Sequence, residues 1–573
     1  MILSVTAAIV LYGAFALLFD FYYDLNDDVM IKDILSGIYT GKPDAHNNQM
    51  LYPISVLFAG LYRSNSGAPW FGLIMIGLMI LSFVIILKSL LVFMDIRTGD
   101  SAKNSVKGIF TAVFTIIYFA LMIWEIINVQ YTVVAGMLTA AAAVRLYCGD
   151  PVGVSDDEQD RDGDCHVTPF EMKTFIRMNI PSIILVVVAF NIRSELVLLL
   201  SPMLAAVAIA KWSEETGRKK AYVICAYLGV FLSICTLMAG SLSIDGIAYS
   251  SSEWNEYRDF FDARTELYDF TGVPNYDDNA AFYEEEGISR EQYDLLINYN
   301  YYEDSRIDAD LLKRIVNGVK DGRATGRSTY NKSIREAAWE YVHNMINIMS
   351  TDDVQEDHIF ADEAGQHRPF NLIVIILYIA LIISGCLSKD KTVFIKIPSL
   401  LVLRTIPWMY IYLKGRVLGR ITHPLYIIEI VFLIAMLLNE EKESVRDIRS
   451  DNRISFVFIA AMTVLSVVCL AVFPGRVKYI SASQTERANV NVAGDKLYSF
   501  TSSDKDTYYY IDTYSTVDLT EKIFGTKKVT KINTQLLGGW MGNSPLDSYK
   551  KNLCSKEEII SKDEFLALTE DSK

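Results

Sequence analysis

Apolar and polar positions alternate along this chain on a long scale. Runs of mainly apolar residues, many near the length of about 20 that crosses a bilayer, are separated by polar stretches, and by that rule there are about eleven. They fall at 1–19, 70–94, 109–128, 131–146, 180–192, 196–210, 221–243, 370–387, 393–413, 425–438 and 454–473. The two runs flanking Arg193 are short. The first run lacks a basic leader and a small-residue cleavage site, so it is read as an uncleaved span. The pattern predicts a mainly α protein, a polytopic membrane helix bundle.

The polar stretches divide the rest. Residues 1–243 form an N-terminal transmembrane module with a first external loop at 21–69, and 369–473 form a C-terminal transmembrane module. Between them, 244–368 carries helix-like pieces such as GISREQYDLLINYNYY and KSIREAAWEYVHNMINIM, predicting an extracytoplasmic helical insertion. Trp254, Tyr257, Phe261, Leu267 and Tyr268 recur there at helical spacings, the signature of a packed subdomain; aromatics beside carboxylates would also suit sugar rings. After residue 473 the β-forming DTYYYIDTYSTVDL and the turn-rich LLGGWMGNSPL predict a small α/β or β outer domain over 474–573.

Orientation follows from Lys and Arg in short loops. Arg97, Lys103 and Lys107; Lys211, Arg218, Lys219 and Lys220; Lys389, Lys391 and Lys396; and Lys442, Arg446, Arg449 and Arg453 mark four loops. With eleven spans and an internal N-terminus all four are cytoplasmic. The first loop, the insertion and the C-terminal domain then lie outside a multi-pass cell-membrane protein.

Composition narrows the chemistry. The 573 residues are 51% hydrophobic and carry a net charge of −15, which argues against nucleic acid as a partner. Of the seven cysteines, Cys225, Cys235, Cys386 and Cys469 sit in apolar runs, so no disulfide framework is expected. Walker, HExxH, GxSxG and CxxC patterns are absent, and the six histidines show no ligand spacing. DRDGDCHVTPFE at 160–171 matches much of a calcium loop but has Cys165 where the turn needs Gly, so a solvated acidic loop is the preferred reading.

Charges at span ends carry most of the information, because an ionisable group in hydrocarbon is costly and faces a cavity or a partner. Asp27 and Asp28 open the first external loop; Glu125 lies near the outer end of its span; Arg193 and Glu195 flank an outer turn; Glu429 lies in the outer part of a span and Arg404 deeper. LKGRVLGRITHP places Lys414, Arg416, Arg420 and His423 on the outside, against the positive-inside bias. A lipid phosphate at headgroup level accounts for this, as does a snorkelling basic loop on anionic lipid. Glu125, Arg193, Glu195, Arg416 and Arg420 are the candidate substrate-binding residues around one outward-facing pocket. One aspartate of the pair is free to cap the following helix, and Asp24 and Asp33 are expected to be solvated.

The order of a first span, an external loop opening with LNDDVM, an amphipathic NQMLYPISVLFAGLYR, a span starting PWFGL and a C-terminal outer domain resembles the GT-C class of bacterial membrane glycosyltransferases. VQYTVVAGMLTAAAAVRLY is similar to what bacterial members carry after the third span. The resemblance implies a GT-C-like fold, a polyprenyl-phosphate-sugar donor, and a catalytic aspartate, Asp27 or Asp28, transferring the sugar with inversion to a glycan, lipid or protein acceptor of the cell envelope. Some members bind a divalent cation at this loop and others do not; no metal ligands are assigned. A transporter or flippase would also bury charges, but would show matching broken-helix halves, and none stands out. A non-catalytic envelope-assembly protein would be indifferent to loss of Asp27 and Asp28.

Overall fold

The computed structural model describes residues 1–98, 104–149, 169–215, 218–326, 332–348, 350–351, 367–446, 452–504, 506–525 and 529–554. In chain order the elements are α1 (Ile2–Leu18), β1 (Tyr22–Tyr23), α2 (Asn26–Ser36), α3 (Tyr52–Ser64), α4 (Trp70–Thr98), α5 (Asn104–Ile127), β2 (Asn128–Val129), α6 (Tyr131–Cys148), α7 (Pro169–Met178), α8 (Ile180–Ile192), α9 (Ser194–Glu214) and α10 (Arg218–Ala248). The insertion contributes α11 (Ser252–Thr265), a π-helical turn at Glu266–Thr271, α12 (Ala280–Glu285), α13 (Arg290–Ile297), α14 (Ala309–Lys320), α15 (Ile334–Ile346), β3 (Ser350–Thr351) and β4 (His367–Arg368). There follow α16 (Phe370–Ser388), α17 (Val393–Lys414), α18 (Gly419–Arg446), α19 (Asn452–Ser503), β5 (Tyr509–Ile511), β6 (Thr534–Leu536) and α20 (Pro545–Cys554).

Among the described residues nine helices are long and apolar enough to cross a membrane: α4, α5, α6, α9, α10, α16, α17, α18 and α19. The shorter apolar helices α1 and α8 occupy the other two predicted positions. The protein is therefore a polytopic helical membrane protein. Helix α6 is its axis, buried almost throughout and packed against α4, α8, α9 and α18. Its run of Ala and Gly explains why: small side chains let neighbouring backbones approach. A Cβ on Gly136 would stand 2.4 Å from Pro424 on α18.

The C-terminal ends of α6 and α9, the start of α17 and the later part of α18 meet at one end of the bundle, where Glu214 Oε1 accepts from the Tyr147 hydroxyl at 2.7 Å and from Asn439 Nδ2 at 2.9 Å and lies 3.3 Å from Lys396 Nζ. At the other end lie the first loop, the insertion and the C-terminal segment. There β1 pairs in parallel with β2, Tyr23 N donates to Glu521 O at 2.9 Å and Lys531 N to Ile38 O at 2.9 Å, so the first loop is held between the end of α5 and the C-terminal segment. Tyr302 N donates to Leu537 O at 2.9 Å, which ties the insertion to the same segment.

Three features depart from expectation. The predicted boundary at 473/474 is not a break: α19 continues as one helix of 52 residues through Pro474. Arg476, Ile480, Ser483 and Arg487 are buried at helical spacing beyond the proline, so continued packing on one face sustains the helix where sequence alone suggests an end. The predicted β character of the outer domain is limited, since β5 and β6 form a parallel pair of three residues each. The last part of the insertion does not stand clear of the bundle, because α15 lies along α17.

One buried ion pair joins two spans. Arg404 Nε lies 2.7 Å from Glu429 Oε2; Tyr378 donates its hydroxyl to Glu429 at 2.8 Å, and Arg404 Nη1 donates to the Tyr341 hydroxyl of α15 at 2.9 Å. Two charges that look costly on separate helices are thus matched to each other.

Candidate functional site

Asp27 and Asp28 both belong to the first turn of α2, where successive side chains point about 100° apart. Only one of them turns towards open space. Asp28 is 1% exposed and serves the backbone: its Oδ2 accepts from Leu25 N at 3.3 Å at the helix start, and its Oδ1 accepts from Tyr131 N at 3.1 Å. Burial, with Asp24 and Asp27 nearby, raises its carboxyl well above the ordinary range, although the two N–H donors pull the other way. Asp27 is half-buried and lines a cavity of about 1180 Å³ between the bundle, the insertion and the C-terminal segment.

Glu125, Arg416 and Arg420 line the same cavity. Glu125 Oε1 lies 2.6 Å from Arg368 Nη1 and 2.6 Å from His423 Nδ1, and the same guanidinium nitrogen donates to Leu121 O at 2.8 Å. This buried Glu–Arg–His group fixes the ends of α5, β4 and α18 against one another. Arg416 pairs with Asp269 at 2.9 Å. Burial alone would raise the Asp269 carboxyl, but Arg416 and Arg264, with a smaller contribution from Arg420, hold it below the usual carboxylate value. Arg420 and Asp27 share a property: each is half-buried, lines the cavity, and forms no hydrogen bond or ion pair with another described residue.

Arg193 and Glu195 are not brought to the cavity wall. Arg193 Nη1 donates to Gln49 Oε1 at 2.8 Å, which also accepts from the Tyr131 hydroxyl at 3.1 Å, so Arg193 packs over the Tyr131 ring. Burial disfavours its charge, but Tyr131, Glu195, Asp27 and Asp269 more than offset this. The Glu195 side chain is 69% exposed, and its polar partners among the described residues are its neighbours Arg193 and Ser194.

Asp24 and Asp33, expected in solvent, are both committed. Asp24 Oδ1 pairs with Arg487 at 2.8 Å, and Asp33 is enclosed by Lys32 and Lys531, each at 2.6 Å. Although Asp33 is buried, those two cations keep its carboxyl below the ordinary range. His46 lies 2.7 Å from Asp44 and stacks on Trp254.

Sequence reasoning missed Arg368, Arg487, Asp269 and Arg264, all of which line the cavity. Arg368 carried the one available signal, a cation directly before an apolar run. Among the described residues no group of three or more His, Cys, Asp or Glu is arranged to hold a metal ion. Residues 160–168 of the calcium-like loop lie outside the described residues.

Comparison with protein-family models, with curated proteins and with solved structures yields no match. The functional reading therefore rests on the cavity and on the sequence resemblance alone.

Proposed function

We propose that this chain is a multi-pass cell-membrane glycosyltransferase of GT-C type, with its N-terminus in the cytoplasm and its cavity and C-terminal region outside. It moves a sugar from a polyprenyl-phosphate donor to an envelope glycan, lipid or protein. The observation that carries this reading is that Asp27 and Arg420, far apart in the sequence, face one cavity as charges of opposite sign that form no hydrogen bond or ion pair with another described residue. Neighbouring charges are paired: Asp24 with Arg487, Glu125 with Arg368, Asp269 with Arg416. A half-buried charge held without a partner is costly unless a ligand completes it.

The chemistry divides accordingly. The acceptor oxygen attacks the anomeric carbon while Asp27 takes its proton. The bond from that carbon to the phosphate oxygen breaks, its electrons leave with the phosphate, and Arg420 meets the developing charge with Arg416 beside it. A single displacement inverts the anomeric centre. Asp28 positions the helix that presents Asp27.

The test is turnover of a panel of labelled polyprenyl-phosphate sugars by purified protein in detergent, reading released polyprenyl phosphate and the anomeric configuration of the product. Turnover without a sealed compartment, with inversion, supports the reading. No turnover by folded protein, or movement of the lipid only between the two sides of a sealed vesicle, overturns it.

A further inference from the structure

Helix α15 belongs to the stretch predicted to be extracytoplasmic, yet its contacts are with spans. Lys332 N donates to Leu413 O at 3.1 Å near the end of α17; the Tyr341 hydroxyl meets Thr405 Oγ1 at 3.1 Å and accepts from Arg404; Asn344 Nδ2 donates to the Tyr426 hydroxyl at 3.1 Å. Asn371 Nδ2 donates to Asn344 O at 2.7 Å, and Leu372 N to Ile348 O at 3.0 Å. Helix α15 therefore runs antiparallel to α17, from the level of residue 413 to that of residues 404–405. At 1.5 Å per residue this is a descent of about 13 Å. The lower end of α15, at Asn344 and Ile348, is level with Asn371 and Leu372 in the first turn of α16. A span of 19 residues uses nearly all its length to cross the hydrocarbon, so this end of α15 reaches the upper edge of the acyl chains.

The two faces of α15 agree with that depth. Ala337, Tyr341 and the half-buried Asn344 face the bundle. On the opposite side Arg335, Trp339, Val342 and Ile346 descend in order, with Trp339 65% and Ile346 72% exposed. A cation at the top, an aromatic ring below it and aliphatic side chains beneath form the gradient from headgroup to hydrocarbon. The outward apolar face of α17, at Val402, Ile406 and Tyr410, continues the same surface.

We propose that α15 lies in the interfacial layer of the outer leaflet with its lower end against the upper acyl chains, so that the insertion is anchored in the bilayer and the partner of its exposed face is lipid. This is independent of the transferase reading. It makes α15 part of the lipid-facing wall beside Arg416 and Arg420, a few residues beyond Leu413.

The test uses the full chain in phosphatidylcholine vesicles. Tryptophan emission of the wild type minus that of Trp339→Phe isolates Trp339. It is expected to be quenched by lipids brominated on their upper acyl chains and shielded from aqueous iodide. In a cysteine-free background, Val342→Cys is expected to react at least tenfold more slowly with a membrane-impermeant maleimide than Glu253→Cys on the exposed face of α11. Quenching of Trp339 by iodide rather than bromolipid, or equal labelling at 342 and 253, would overturn the proposal.

Discussion

Replacing Asp28 with Ala removes a carboxylate and orphans two backbone donors, Leu25 N and Tyr131 N, at the start of α2 and of α6. An unsatisfied buried donor costs about 1–3 kcal/mol, so the gross loss for the two is about 2–6 kcal/mol. Removing the carboxyl also relieves the burial that raises its pKa, which offsets part of that loss. The sign with pH follows. A carboxyl raised in the folded state contributes stability that is complete below the ordinary carboxylate value, about 4, and lost as pH rises through its raised value. The penalty of Asp28→Ala is therefore expected to be largest in acid and to shrink towards neutral pH. Asp27→Ala, whose carboxyl bonds nothing among the described residues, is expected to leave stability nearly unchanged. The assay is thermal unfolding of both variants and the wild type in one detergent across pH 4–8. Equal midpoints for the two variants, or a penalty for Asp28→Ala that grows with pH, would refute the assignment of Asp28 as the structural member of the pair.

Other outcomes follow from the same geometry. Arg404→Leu or Glu429→Leu alone strands a buried charge and is expected to cost about 3–5 kcal/mol, whereas the double replacement recovers most of it; a double-mutant cycle on thermal midpoints checks this. Gly136→Val drives a side chain into Pro424, whose ring cannot turn aside, and is expected to destabilise by about 1–3 kcal/mol, read as a lowered midpoint. Asp269→Asn removes a carboxylate held below its ordinary value. Its stabilisation is present above about pH 4 and lost as pH falls through the depressed value, so wild type and variant midpoints are expected to converge in acid.

The spans were legible because length and apolarity are local properties, and those of α4 and α18 need no partner to be recognised. The position of the aspartate pair was legible too, but not the division of labour within it. That division depends on Tyr131, a residue remote in sequence whose N–H selects Asp28. Glu125 was visible as a buried acid, while its matching cation Arg368 and neighbour His423 come from distant segments, and nothing in the sequence links them. The same holds for Asp33, solvated by composition, whose second cation Lys531 comes from the far end of the chain. The long α19 was hidden by Pro474, because a proline marks a helix end only where no packing sustains the far side. The approach of Lys531 to Asp33 and the buried face beyond Pro474 are tertiary facts, and local propensity carries no information about either.

The most direct measurement compares release of polyprenyl phosphate from its sugar-linked form by purified wild type, Asp27→Asn and Arg420→Gln, each with an unchanged thermal midpoint. Loss of the proton-accepting group is expected to slow Asp27→Asn by about 10²–10⁴-fold. Arg420→Gln is expected to lose turnover as well. An Asp27→Asn protein that releases polyprenyl phosphate at the wild-type rate would contradict a catalytic carboxylate in this cavity.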